Sequence, residues 1–115
     1  MNGFFKKILN LINAGDVLIS EHGYDELAEE GLAVREILDG VVGGTIVEEY
    51  PNYPKGPCIL LLQRSRSGNP IHVVWGIPKG YDKPVVLVTA YRPDLERWDE
   101  SFLQRRNYEA EKKKN

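Results

Sequence analysis

Cysteine is almost missing from this sequence. Cys58 is the only one among 115 residues, so no disulfide can close within the chain and no cysteine cluster can hold a metal. A reducing compartment suits such a chain, and the cytoplasm is the expected location. Long hydrophobic runs are also missing, since no apolar stretch approaches the roughly 20 residues that cross a bilayer, and no membrane association is expected. The opening "MNGFFKKILNLINAG" has Lys6 and Lys7 after Phe4 and Phe5, and Asn10 and Asn13 interrupt its apolar part, so it reads as a short amphipathic helix and not as a signal peptide. The two histidines, His22 and His72, lie far apart with no carboxylate pattern beside them, and neither a metal nor a cofactor is expected. Excess positive charge is lacking as well. Fifteen Lys and Arg face 17 Asp and Glu, for a net charge of -2, so any contact with nucleic acid must be local.

What remains is 42% hydrophobic and 28% charged, the balance of a globular protein, and residues 1–115 are the size of one domain. Charge is uneven along it. Acids crowd residues 21–30, whereas Arg64, Arg66, Arg92, Arg97, Arg105, Arg106 and the lysines at 112–114 collect in the second half. Phe5, Ile8, Leu9 and Ile12 recur at helical spacing, and Gly15 ends a helix over 1–15. "VLIS" is too short to classify. Ser20 stands where a cap stands, ahead of "EHGYDELAEEG", and "LAVREILDG" repeats the pattern with Val34, Ile37, Leu38 and Val41 facing inward. From Thr45 the period changes. "TIVEEY", "CILLLQ", "IHVVWGI" and "VVLVTAY" read as four strands, separated by loops built from Pro, Gly, Asn, Asp, Ser and Lys. The last three at least form an antiparallel meander. Asp94 then caps an expected final helix carrying Leu95, Trp98 and Phe102 on one side, with a frayed tail at 107–115. The expected fold class is α+β, with N-terminal helices, a four-stranded, mainly antiparallel twisted sheet and a C-terminal helix.

Chemistry-bearing residues concentrate on the last two strands. Period-two alternation sends Ile71, Val73, Trp75 and Ile77 to one face and His72, Val74 and Gly76 to the other. Thr89 and Tyr91 share a face, while Ala90 and Arg92 share the opposite one. If the two strands pair, His72 can join Thr89 and Tyr91. His72 then suits a general acid or base, or a half-buried strand residue with one hydrogen bond. Tyr91 can orient a substrate, or simply pack on Trp98. Arg92 can clamp a phosphate, or pair with Asp94 or Glu96. His22 sits in the first turn of its helix. Glu48 and Glu49 are adjacent in a strand and must point to opposite faces. Cys58, between Pro57 and a run of leucines, reads as a small buried residue.

Taken together, "ISEHGYDELAEEGLAVREILDGV", "IVEEYP", "GPCILLLQ", "GNPIHVVWGI" and "LVTAYRPDLERW" resemble an uncharacterised prokaryotic domain family of unknown function. The likeness lies in a Ser-x-His helix start, a Tyr-Pro before an apolar strand, a Pro-x-His-Val-Val strand and a Thr-x-Tyr-Arg-Pro strand end, and it covers residues 17–106. Glu30 stands where that family often carries an arginine. The family looks like a distant neighbour of the RelE/ParE and BrnT toxins, which implies two leading helices, an antiparallel sheet and a C-terminal helix. The resemblance further implies a metal-independent endoribonuclease of a toxin-antitoxin pair, with RNA as substrate and an antitoxin protein as partner. His72 would be its acid or base, Arg92 its phosphate clamp, Tyr91 its substrate-positioning group and His22 a second proton carrier. The rival expectation is a non-catalytic interaction module that binds a protein through the face around His72 and Trp75 or through the basic C-terminal helix. An open pocket holding both histidines, Tyr91 and Arg92 favours the enzyme. A His72 sealed beneath Trp98 favours the module.

Overall fold

Local signals set the helices. Asn2 caps α1 (Gly3–Asn13), its Oδ1 accepting from the N–H groups of Phe4 at 2.9 Å and Phe5 at 3.0 Å. The structure, a computed structural model, describes residues 2–106. Ser20 caps α2 (Glu21–Glu30) by accepting from Gly23 N–H at 2.9 Å, and Gly31, with φ 66°, closes it in the left-handed region. α3 (Val34–Gly40) follows at once and runs into a single 3-10 turn at Val41–Gly43.

The sheet has five strands in the order β1-β5-β4-β3-β2. Four of them, β2 (Thr45–Tyr50), β3 (Cys58–Arg64), β4 (Pro70–Gly76) and β5 (Val85–Tyr91), form an antiparallel meander. The fifth is β1 (Val17–Ile19), which pairs in parallel with β5 through Val17↔Val85 and Ile19↔Leu87. This makes the sheet mixed and adds one strand to the four expected. The α+β class stands. Three residues carry too little periodicity to reveal a strand, and β1 exists because the chain between α1 and α2 lies along the edge of β5. Ser20 continues that edge, with its N–H on Leu87 O at 3.0 Å and its hydroxyl on Val88 O at 2.9 Å. Glu26 then closes it, accepting from Thr89 Oγ1 and from Ala90 N–H.

A larger correction concerns the chain after β5. Residues 94–106 form no helix. They run through tight turns closed by an isolated bridge between Trp98 and Arg105. Asp94 does behave as a cap, its Oδ1 accepting from Glu96 and Arg97 N–H at 3.0 Å each, but Trp98 is 2% exposed against the sheet, and the chain turns back to it. Burial of the indole outweighs the local helical signal. The expected frayed tail at 107–115 lies outside the described residues.

Two apolar layers result. On one face Ile59, Leu61, Ile71, Val73, Trp75, Val85, Leu87 and Ala90 meet Phe5 and Ile8 of α1, Leu27 of α2 and Ile37 of α3. Leu60, Leu62 and Trp98 are buried outside that cluster, around His72. Gln63 joins the layers of the main core. Its Nε2 donates to Ile37 O at 2.9 Å, and its Oε1 accepts from Trp75 Nε1 at 2.9 Å. The loop after β2 is pinned at Gly56, whose φ is 131° and where an added Cβ would lie 2.1 Å from Ile77 O. Ile77 N–H bonds Pro57 O at 3.1 Å, and Lys79 N–H bonds Lys55 O at 2.9 Å.

The Gln63 bridge is testable. Gln63→Leu keeps the volume but leaves the indole N–H of fully buried Trp75 without its acceptor, so urea denaturation should show a loss of about 1–3 kcal/mol. Adding Trp75→Phe removes the stranded donor, and the double variant should then lose less than the sum of the two single changes.

Candidate functional site

β4 and β5 bring two of the four expected residues together. His72 and Tyr91 are directly opposed in the ladder and share the face away from the helices. Tyr91 Oη lies 3.1 Å from His72 Nδ1, with the rings edge-on at 5.3 Å between centroids. His72 Nε2 lies 2.7 Å from the backbone oxygen of Phe102. A carbonyl only accepts, so Nε2 carries the proton, and in the neutral ring Nδ1 accepts from the Tyr91 hydroxyl. Both imidazole nitrogens are thus engaged.

His72 is not open to solvent. It has 0% exposure, and Trp98 closes over it edge-on at 4.4 Å between centroids. Phe102 delivers its carbonyl by adopting φ 60°, a region that costs a non-glycine residue about 1–3 kcal/mol unless its surroundings hold it. The surroundings here include Arg105, which lies 4.7 Å over the Trp98 ring and grips Glu48 with two donors, Nε to Oε2 at 2.8 Å and Nη2 to Oε1 at 3.0 Å. Glu48 also accepts from the Tyr50 hydroxyl. Glu49 points the other way, accepting from Asn2 at 2.5 Å, as their adjacency in the strand requires.

These surroundings tune the titrating groups. Burial pushes the His72 pKa below its ordinary 6.5, opposed by its bonds to Phe102 and the charge of Glu48 and reinforced by Arg105. Burial pushes the Tyr91 phenol up, so it stays protonated at neutral pH. The Arg105 guanidinium, more than any other cause, holds the Glu48 carboxyl down.

Arg92 and His22 do not join this pair. Arg92 turns to α2, where its Nε meets Glu30 Oε2 at 3.2 Å and its Nη2 donates to Glu30 O at 3.1 Å. Neither Asp94 nor Glu96 is its partner, and Glu30 takes up the charge. His22 lies on the same helix, with Nε2 2.9 Å from Glu26 Oε1. The face around His72 and Trp75 is not a surface either, since both side chains have 0% exposure and they point to opposite sides of the sheet. What sequence reading missed is a small polar pocket of about 220 Å³ lined by Tyr91, Asp94, Arg97, Trp98 and Arg105. Its signal was the cluster of arginines after Tyr91. Tyr91 is the member of the histidine pair that reaches it, and Asp94, Arg97 and Arg105 line the same pocket.

The depressed His72 pKa has a consequence for stability. The unfolded chain binds a proton at this ring more readily than the folded one, so the contribution is fully present above pH 6.5 and is lost as pH falls through the folded value. Thermal melts between about pH 7.5 and 5 should show the wild type losing stability as the medium acidifies. His72→Gln should be less stable at pH 7.5 and show a flatter profile across that window.

Residues 19–92 match a family described as a domain of unknown function, DUF4258. No curated protein and no solved structure shows a significant match. The matched span runs from the end of β1 to Arg92, takes in α2, α3 and the whole meander with its His72–Tyr91 pair, and covers well over half of the chain, which therefore belongs to the DUF4258 family.

Proposed function

We propose that this is a toxin-like domain of the RelE/BrnT type, a metal-independent cytoplasmic endoribonuclease held in check by an antitoxin protein, with the pocket at Tyr91 receiving an RNA phosphate. The observation that carries this reading is the grouping of the Tyr91 phenol, backed by buried His72, with Arg97 and Arg105 around one small cleft. The site differs from the one expected from sequence in two ways. Tyr91, not His72, faces the substrate, and Arg97 and Arg105 replace Arg92 as the cations.

Cleavage by the neighbouring 2'-hydroxyl forms a 2'-oxygen–phosphorus bond and breaks the bond from phosphorus to the 5'-oxygen. Tyr91 can accept the 2'-hydroxyl proton as its own passes to His72 Nδ1, and the pair then returns a proton to the departing 5'-oxygen. The guanidinium groups oppose the charge that develops on the phosphoryl oxygens. The products are a 2',3'-cyclic phosphate and a 5'-hydroxyl. His72 is here a proton store fixed behind the tyrosine.

A second reading is the non-catalytic interaction module. It is favoured by the complete burial of His72 beneath Trp98, which keeps the imidazole from touching any substrate directly.

Labelled single-stranded RNA, incubated with the purified protein in the presence of a chelator, separates the two. Cleavage to cyclic-phosphate ends is expected, with Tyr91→Phe slower by about a hundredfold or more and Arg97→Ala also impaired, while melting curves confirm that both variants remain folded. No cleavage by the wild type, or equal cleavage by Tyr91→Phe, removes the ribonuclease reading and leaves the module.

A further inference from the structure

Beyond Thr89 the face that carries Tyr91 is uncovered. A groove of about 450 Å³ lies there, within the size range of small-molecule sites. Val74, Val86 and Val88 form its floor together with Cys58, and Tyr50 and Tyr53 stand along it. Gly76 deepens the floor, for a Cβ there would meet Cys58 Cβ at 3.2 Å and Val88 Cγ2 at 3.5 Å. Val88 is 40% exposed and Tyr53 51%, so the apolar walls face solvent.

Two polar groups on the rim are already engaged. Tyr50 donates to Glu48, and Thr89 donates to Glu26. One end differs. Lys55 lines it, and Lys79 stands beside Lys55 through the backbone bond that Gly56 makes room for. Neither lysine forms an ion pair among the described residues.

An apolar trough with Lys55 in its lining, and Lys79 next to Lys55 in the backbone pairing, is complementary to one class of molecule. The geometry points to a binding site for a small apolar anion, a medium-chain fatty or aromatic carboxylate, with its hydrocarbon on Val74, Val86 and Val88 and its carboxylate toward Lys55 and Lys79. The hydrocarbon supplies the free energy by leaving water, and the lysines fix its direction.

Cys58 is the only cysteine of the chain and lines the groove, so its alkylation rate reports occupancy. Decanoate, titrated calorimetrically, should bind and slow alkylation of Cys58. Decanol should bind about tenfold more weakly, and the double reversal Lys55→Glu/Lys79→Glu, at exposed positions, should weaken decanoate by a similar factor. Failure of decanoate to bind or to protect Cys58 overturns the proposal. Equal affinity for decanol, or no effect of the reversal, overturns the anion specificity. Protection of Cys58 by raising protein concentration alone, with a dimer mass in ultracentrifugation, assigns the groove to a second copy of the chain instead. Tyr91 and the polar pocket take no part in these measurements, so their outcome is separate from that of the RNA assay.

Discussion

One extra residue in β5 decides which side of the sheet carries Tyr91. Val74 pairs with Thr89 and Trp75 with Leu87, so Val88 is left over as a bulge. Strict alternation from Leu87 would place Thr89 and Tyr91 in the helix-covered core and turn Ala90 and Arg92 outward. The bulge reverses the phase. Leu87 and Ala90 both reach 0% exposure on the helix side, Thr89 and Tyr91 come to the other face, and Arg92 is delivered to Glu30 on α2. On its other side β5 extends past the three residues that β1 pairs, and Ser20 at the cap of α2 and Glu26 within that helix bond to the groups beyond.

The second face is held by polar geometry as much as by burial. A histidine at the centre of a sheet needs partners for two nitrogens, and here one is supplied by the opposing strand and the other by a backbone carbonyl that returns from residue 102. That return requires the tight turns of 94–106, the seating of Trp98 on the imidazole edge and the clamp of Arg105 on Glu48. An apolar residue at position 72 would pack against Trp98 equally well, but it would leave the Phe102 carbonyl and the Tyr91 hydroxyl without partners. His72 thus links the last strand to the chain that follows it.

Much of this was legible in the sequence where signals are local. Ser20 and Gly31 announce the ends of α2, and turn residues separate the meander strands. Alternation in "PIHVVWGI" assigns His72 and Trp75 to opposite faces. What escaped depends on distant partners. β1 exists only because β5 offers it an edge. Asp94 makes the cap hydrogen bonds of a helix start, but a buried indole four residues later, which no local pattern declares, redirects the chain. Cys58 reads as buried from its neighbours and is in fact half-buried, since nothing in "GPCILLLQ" tells that the sheet above it is bare. The pairing of Arg105 with Glu48 spans 57 residues, and the clustering of arginines hinted at a basic site without showing where its members meet.

That pairing also bears on the proposed function, in which an anion is received beside Tyr91. A guanidinium has five N–H donors in a rigid plane, and Glu48 takes two of them, from Nε and Nη2. The remaining donors are held in place by the same contact and by the Trp98 ring beneath. An exposed arginine without such support would have to surrender much of its side-chain freedom when it bound. Arg105 has already done so on folding, with the carboxylate supplying the compensation. Glu48 lowers the net positive charge near the pocket, yet it fixes the direction of the donors that remain.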